Sequence, residues 1–189
     1  MALKEKRRTS RDREISVGKS AQGVQAGQNR YMVIPRVLIF IFNNDDVLLL
    51  KGAPTKRIWA NRYNGIGGHV EANEDIYTAA RREIYEETGL EVHDLRLRGV
   101  VNVDVGSPSD GAPTGIILFV FSARSEGRET VSSVEGMLEW VPLVQLPSHD
   151  LVEDIPVLLD RITKMSDNSL FFAHYWYDEQ EQLRIEFTG

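Results

Sequence analysis

The chain has 189 residues, 42% of them apolar and 26% charged, a balance that suits one globular domain with a core of its own. It contains no cysteine, which excludes disulfides and thiolate chemistry and accords with a cytoplasmic protein. The net charge of −6 is unevenly placed: residues 1–30 carry eight basic and three acidic side chains, net +5, which leaves −11 on the remainder and argues against stable nucleic-acid binding. No apolar run approaches the roughly 20 residues of a membrane span, and no hydrophobic segment directly follows the basic N-terminus, so neither a membrane helix nor a secretory signal is expected.

In chain order, residues 1–30 read as a basic, flexible extension. They are rich in Lys, Arg, Ser, Gly and Gln and show no sustained period. From Tyr31 the pattern changes. Val33 to Phe42 (VIPRVLIFIF) is a β-rich apolar run, Asn43 to Asp46 is turn chemistry, and Val47 to Leu50 resumes as strand. Such continuous hydrophobicity predicts strands covered on both faces. Lys51, at the end of the second strand, is positioned either to meet a phosphate or to be solvated. Residues 53–62 form a loop that leads into Tyr63-Asn64-Gly65-Ile66-Gly67-Gly68.

The most informative stretch follows, from Gly67 to Leu90 (GGHVEANEDIYTAARREIYEETGL). Read from Gly68, it fixes Gly68, Glu74, Arg82, Glu83, Ile84, Glu86, Glu87, Gly89 and Leu90 at set spacings. Chance recurrence of that pattern in a chain this long is on the order of one in ten million. Asn73 is a candidate helix cap, Glu74 and Asp75 suit the positive end of a helix dipole, and Gly89 supplies the stop. Ile76, Ala80 and Ile84 recur at helical spacing and predict a buried stripe. Glu83, Glu86 and Glu87 share one face, where like charges repel. A hard divalent cation removes that conflict, because Mg²⁺ and Mn²⁺ prefer carboxylate and water oxygens. Arg82 can neutralise or orient a neighbouring carboxylate, and the Gly-Gly loop at the helix entrance is suited to hold a diphosphate.

Beyond the helix, Leu95 to Asp104 reads as strand, Gly106 to Gly115 as loop, Ile116 to Phe121 as a buried strand and Leu138 to Leu143 as another. Asp150 to Ile162 has helical spacing, with Leu151, Ile155, Leu158, Leu159 and Ile162 inward; Pro156 suits the first turn of a helix starting near Asp154. Leu170 to Tyr177 and Leu183 to Phe187 form a hairpin around Asp178 to Gln182. His174 reads as a core or sheet-face residue. Trp59, Trp140 and Trp176 are core candidates, and the last two could also stack on a base.

The Gly68–Leu90 pattern resembles the signature of the Nudix hydrolase family, complete at every fixed position. The resemblance spans roughly residues 32–187, strongly at this box and weakly elsewhere. It implies an α/β fold, an α/β/α sandwich around a mixed β-sheet in which the box is a loop–helix–loop, with the family domain over 31–189. It further implies hydrolysis of a nucleoside diphosphate linked to another group, with Mg²⁺ or Mn²⁺. By position, Glu83, Glu86 and Glu87 would be metal ligands, the Gly67 carbonyl a further one, and Arg82 would orient a glutamate, with Glu74 as partner. Glu135 sits where family members often place one more glutamate, as metal ligand or general base; a surface loop residue is the other reading.

Arg62 to Gly68 (RYNGIGG) is similar to a segment of the family's oxidised purine nucleoside triphosphatases, although Tyr63 and His69 replace that branch's Trp and Lys. There the Asn reaches the purine, which makes Asn64 a base-recognition candidate beside its plain reading as an Asn-Gly turn. Asp154 matches one member of that branch's aspartate pair, while Ile155 stands in the other's place; the C-terminal hairpin is also similar. The expected substrate is therefore a purine or oxidised purine nucleoside triphosphate such as 8-oxo-dGTP, bound by Asn64, Asp154, Lys51 and Gly68. ADP-ribose or another nucleoside diphosphate derivative is the alternative, although Pro108 lies slightly too far from the box for the ADP-ribose pattern. A zinc ribbon and an isomerase cysteine are excluded by the composition. A non-catalytic nucleotide-binding module is a further alternative, set against the intact box glutamates. The expected partner is a small nucleotide, and the expected assembly a monomer or homodimer.

Overall fold

The computed structural model describes residues 31–106, 114–131, 135–166 and 168–188. The expectations for the basic extension, for most of the Gly106–Gly115 loop and for Pro108 lie outside these residues.

The described chain forms strands β1 (Met32–Asn43), β2 (Asp46–Gly52) and β3 (Tyr63–Asn64), then helix α1 (Ile76–Thr88). Strands β4 (His93–Asp104), β5 (Thr114–Arg124) and β6 (Gly136–Pro142) follow, then a 3₁₀ helix (Leu143–Ser148), helix α2 (Ile155–Lys164) and the terminal strands β7 (Phe171–Tyr177) and β8 (Leu183–Thr188). All strands join one sheet in the order β3-β2-β1-β5-β4-β7-β8, with β6 also paired to β2. β1 runs parallel to β5 and β4 parallel to β7, while the other pairs are antiparallel, so the sheet is mixed as expected.

The apolar run of β1 divides its side chains between two cores. Leu38 and Phe40 face α2 and pack with Ile155, Leu158, Leu159 and Ile162. Val37, Ile39 and Ile41 face the other way and pack with Ala79, Ala80 and Ile84 of α1. A strand buried on both faces needs no polar alternation, which is why residues 37–41 read as unbroken hydrophobicity. The result is helix, sheet, helix in three layers.

Several boundaries differ from the sequence reading for local reasons. The β1–β2 turn is only Asn44-Asp45, because Asn43 and Asp46 pair with each other and Asn44 takes a positive φ of 54°. Leu143 leaves β6 and opens the 3₁₀ helix. Leu151 is buried, but it bridges to Tyr63 rather than belonging to α2, which starts at Ile155 with Asp154 before it and Pro156 in its first turn. None of the three tryptophans is buried in the core. Trp59 is exposed on the β2–β3 loop, while Trp140 lies half-buried beneath the Arg128 guanidinium. Trp176 stacks on the exposed ring of His174.

Candidate active site

Helix α1 is held at both ends by side-chain and backbone geometry. The cap is Asp75 rather than Asn73: its Oδ1 accepts the Tyr77 and Thr78 amides at 2.8 and 3.0 Å, and its Oδ2 accepts the Thr78 hydroxyl. At the far end Gly89 takes the left-handed conformation, φ 69°, and its amide closes on the Tyr85 carbonyl. With Ala79, Ala80 and Ile84 buried against the sheet, Glu83, Glu86 and Glu87 are turned toward the loop that precedes the helix.

That loop is stitched to β1. The Ile39 and Ile66 backbones exchange hydrogen bonds, the Val37 amide donates to the Gly68 carbonyl, and the Val70 amide donates to Pro35. Gly67, at φ 153°, passes so close to the Val37 carbonyl that a Cβ would collide with it. A Cβ at Gly68 would run into the Glu83 carboxylate. The two glycines thus let the loop backbone lie directly on the carboxylate face of α1.

Arg82 organises these acids. It grips Glu74 through two hydrogen bonds at 2.6 and 3.1 Å, contacts Glu83 at 2.8 Å and Glu86 at 3.2 Å, and donates to the His69 carbonyl. These bonds raise the pKa of Arg82 and hold Glu74 below the usual carboxylate range. The opposite happens one turn on. Burial pushes Glu87 up to about 8, with the negative charges of Glu135 and Glu83 adding to the effect and the Gly67 amide opposing it. Burial likewise raises Glu83. One Glu87 oxygen is buried without a hydrogen-bond partner.

Glu135 stands at the start of β6, where its carbonyl accepts the Ala53 amide and its carboxylate accepts Lys56 Nζ at 2.8 Å. Its negative charge adds to the raised pKa of both Glu87 and Glu83. Among the described residues no three acidic or imidazole groups already converge as a ligand cluster, and Arg82 is paired with Glu83 and Glu86. A buried, unpartnered carboxylate oxygen beside two further acids is nevertheless the donor chemistry a hard divalent cation takes.

Gly67 and Gly68 also line a cavity of about 430 Å³, whose walls are largely apolar, among them Ile116, Leu118 and Val103. Asn64, Glu153, Asp154 and Tyr175 bring polar groups into it. The Asn64 Oδ1 accepts the Gly65 amide at 2.8 Å, which fixes the side chain and leaves its NH₂ to donate. Burial pushes Asp154 up to about 6, and neighbouring Glu153 adds to the shift. Glu153 is held low by Arg62, 2.8 Å away. The Tyr175 phenol is buried with no hydrogen-bond partner among the described residues.

The structure therefore joins Arg82 to Glu74, Glu83 and Glu86, lays Gly68 against Glu83 and gives Glu87 the Gly67 amide, with Glu135 acting on Glu83 and Glu87 through its charge, while Asn64 and Asp154 line the adjoining cavity. Lys51 is not part of either group: its ammonium lies 5.3 Å from the Tyr63 ring centre. Tyr63 is itself buried, its hydroxyl donating to Glu139 at 2.6 Å, a bond that pushes its pKa up to about 12. The sequence reading missed Glu153, Tyr175 and Trp59 as cavity residues. It looked for Asp154's partner at Ile155, which is fully buried in the core; the adjacent acid lining the cavity is Glu153, on the other side.

A helix–sheet–helix sandwich carrying a loop–helix–loop of this kind defines a hydrolase of phosphoanhydrides, and the family comparison agrees. Residues 32–162 match the NUDIX domain, and the chain belongs to the Nudix family, enzymes that act on phosphoanhydride bonds in small nucleotide substrates and generally use divalent metal ions. It is 29% identical over 150 residues to the mouse oxidized purine nucleoside triphosphate hydrolase, covering 77% of this chain and 88% of the relative. The protein of the same name from Danio rerio is 28% identical over 128 residues, covering 66% of this chain and 78% of the relative. The fold superimposes on the MutT protein of Bacillus halodurans with a TM-score of 0.68 at 23% identity, over 82% of this chain and 97% of the other. No helix among the described residues is long and apolar enough to cross a membrane.

Proposed function

We propose that this enzyme hydrolyses a purine or oxidised purine nucleoside triphosphate, such as 8-oxo-dGTP, to the monophosphate and pyrophosphate. The observation that carries this reading is one continuous cavity. It is lined by an amide and two acids, Asn64, Glu153 and Asp154, and by Gly67 and Gly68, of which Gly68 also lies against the Glu83 carboxylate of α1. An amide donor and carboxylate acceptors match the Watson–Crick edge of a guanine-type base, which offers one carbonyl and adjacent N–H groups. The similarity to purine triphosphate hydrolases points the same way.

Glu83, Glu86 and Glu87, with the Gly67 carbonyl, would hold Mg²⁺, or Mn²⁺ in its place. Bound there, the cation would neutralise the phosphates and lower the pKa of water. Arg82 keeps Glu83 and Glu86 oriented and ties the loop to the helix through Glu74. Glu135, paired with Lys56, would take a proton from the attacking water. The water oxygen joins one phosphorus of the α–β anhydride as the bond to the bridging oxygen breaks, and the departing phosphate group carries away the electron pair. Asn64 and the 153–154 acids orient the base, and the apolar cavity walls exclude water from it.

Phosphate and pyrophosphate release should be measured with Mg²⁺ on normal and oxidised nucleoside triphosphates, ADP-ribose, dinucleoside polyphosphates and nucleotide sugars. The expected result is pyrophosphate from a purine triphosphate, with the oxidised form preferred. Preference for ADP-ribose would leave the carboxylate site standing and overturn the base assignment. No turnover with either Mg²⁺ or Mn²⁺ would overturn the hydrolytic reading in favour of a nucleotide-binding module.

A further inference from the structure

The cavity holds one cation that neither the box nor base recognition uses. Arg36 lies on β1, between Pro35 and Val37, and its side chain lines the cavity. In register it stands beside Leu118 of β5, which in turn stands beside Val101 of β4, so its flank is apolar. The residue is half-buried, and its Nε is fully buried with no hydrogen-bond partner. Most buried guanidinium groups are paired, because an uncompensated charge out of water is costly. The buried Nε of Arg62 likewise lacks a hydrogen bond, but that guanidinium is compensated by Glu153, Asp150 and the Leu151 carbonyl around it.

The position of Arg36 indicates what would pair with it. Its backbone bridges to His69, and its neighbour Val37 bonds to the Gly68 carbonyl, so it is joined to the box loop. The polar groups suited to a base lie elsewhere in the cavity. The charges acting on Asp154 come from Glu153 and Arg62, and Tyr175 in turn feels Asp154. A nucleotide with its base among Asn64, Asp154 and Tyr175 and its outer phosphates at the carboxylate face would run along the Gly67–Gly68 backbone, in the cavity that Arg36 also lines. The group that lies between a base and its outer phosphates is the sugar with the phosphate it carries. A planar guanidinium matches phosphate oxygens better than any other part of such a ligand.

We propose that Arg36 binds the sugar-proximal phosphate of a nucleotide whose base fills the cavity, and so sets the enzyme's preference for nucleotides over nucleosides. This rests on the purine-nucleotide reading of the cavity. The contact is supplied by a protein cation, and it therefore operates without metal.

The test is equilibrium binding in metal-free buffer with chelator, comparing 8-oxo-2′-deoxyguanosine with its 5′-monophosphate on the wild type, R36M and R36K, each checked for folding by thermal melting. The wild type should bind the monophosphate more tightly than the nucleoside. R36M should weaken monophosphate binding about 10- to 100-fold, the loss of a charge-assisted pair, and leave nucleoside binding unchanged. R36K should fall between the two, since it keeps the charge and loses the fork. If R36M does not fold, the same selective loss in R36K decides the matter. Equal losses on both ligands, or no loss on the monophosphate, would overturn the inference. A wild type that binds neither ligand would overturn it together with the cavity assignment. A wild type that binds both but turns over no purine triphosphate would overturn the functional reading alone.

Discussion

Arg82 and Glu74 meet through two hydrogen bonds at 2.6 and 3.1 Å, although eight residues separate them and only Arg82 is helical. The pair closes the loop onto the helix, and its planar fork leaves Arg82 able to reach Glu83 and Glu86 as well. Lysine can supply the charge but not that geometry. R82K and E74Q should therefore both lower kcat, by about 10- to 100-fold, through misplacement of the carboxylates. The fold should persist in both, because the buried stripe of α1 is untouched. Circular dichroism alongside steady-state kinetics would check this; wild-type kcat in R82K would show that charge alone suffices.

Glu87 is held in a state at odds with metal binding. Its folded pKa of about 8 lies above the ordinary 4.5, so without metal the carboxyl is largely protonated at neutral pH. For a raised pKa the stability contribution is full below the unfolded value and is lost as pH rises through the folded one, here between about 4.5 and 8. E87Q, which stays neutral, should match the wild type in melting temperature below about pH 4 and exceed it at pH 9 without metal. Its kcat should nevertheless fall by about 100-fold or more, because the amide cannot replace an anionic ligand. Equal stability at both pH values would contradict the raised pKa, and retained turnover would remove Glu87 from the metal site.

Metal binding should then release protons. A cation on the α1 face requires ionised Glu87, which near pH 7 must first lose its proton. Titration calorimetry with Mg²⁺ or Mn²⁺ in buffers of different ionisation enthalpy should give close to one proton released at pH 6.5 and little at pH 9. Affinity should rise with pH up to about 8 and then level off. In E87Q the proton release should disappear. An unchanged proton count in that variant would assign the titration to another group.

The parts of this architecture that were legible in advance are those where a local pattern has a single physical cause. The Ile76, Ala80 and Ile84 stripe predicts burial because helical spacing leaves it no other face, and Gly89 predicts a stop because it can adopt a φ of 69°. The two-sided burial of β1 follows from its unbroken apolar run in the same way. What escaped depends on contacts between distant segments. Asn73 and Asp75 are equally good caps by composition, and only the path of the loop, with Glu74 drawn to Arg82, selects Asp75. Arg36 is absorbed into the apolar run of β1, and only the sheet register, which sets it beside Leu118, makes it a lining residue of the cavity. Trp59 reads as core by residue type, yet it sits at φ 60° on an exposed loop, a conformation that nothing in residues 53–62 announces.

Asp154 joins stability to recognition. Burial and the neighbouring Glu153 charge raise its pKa from 3.8 to about 6, so ionisation above pH 6 costs the folded protein up to about 3 kcal/mol. That contribution runs in the same direction as for Glu87: stability from this group is full below about 3.8 and lost as pH rises through about 6. D154N should therefore melt higher than the wild type at pH 8 and no higher at pH 4. The same ionised carboxylate is the acceptor that a guanine-type N–H requires, so the wild-type KM for such a substrate should improve as pH rises through about 6. In D154N that pH dependence should vanish and KM should rise about 10- to 100-fold, the worth of a hydrogen bond to a charged group. Adenine-type substrates, which present an acceptor at the corresponding ring nitrogen, should follow the reverse trend and bind the wild type better below pH 6. A KM that ignores both pH and the substitution would place the base outside the reach of Asp154, and the stability difference would then stand as a purely structural consequence of burying an acid beside Glu153.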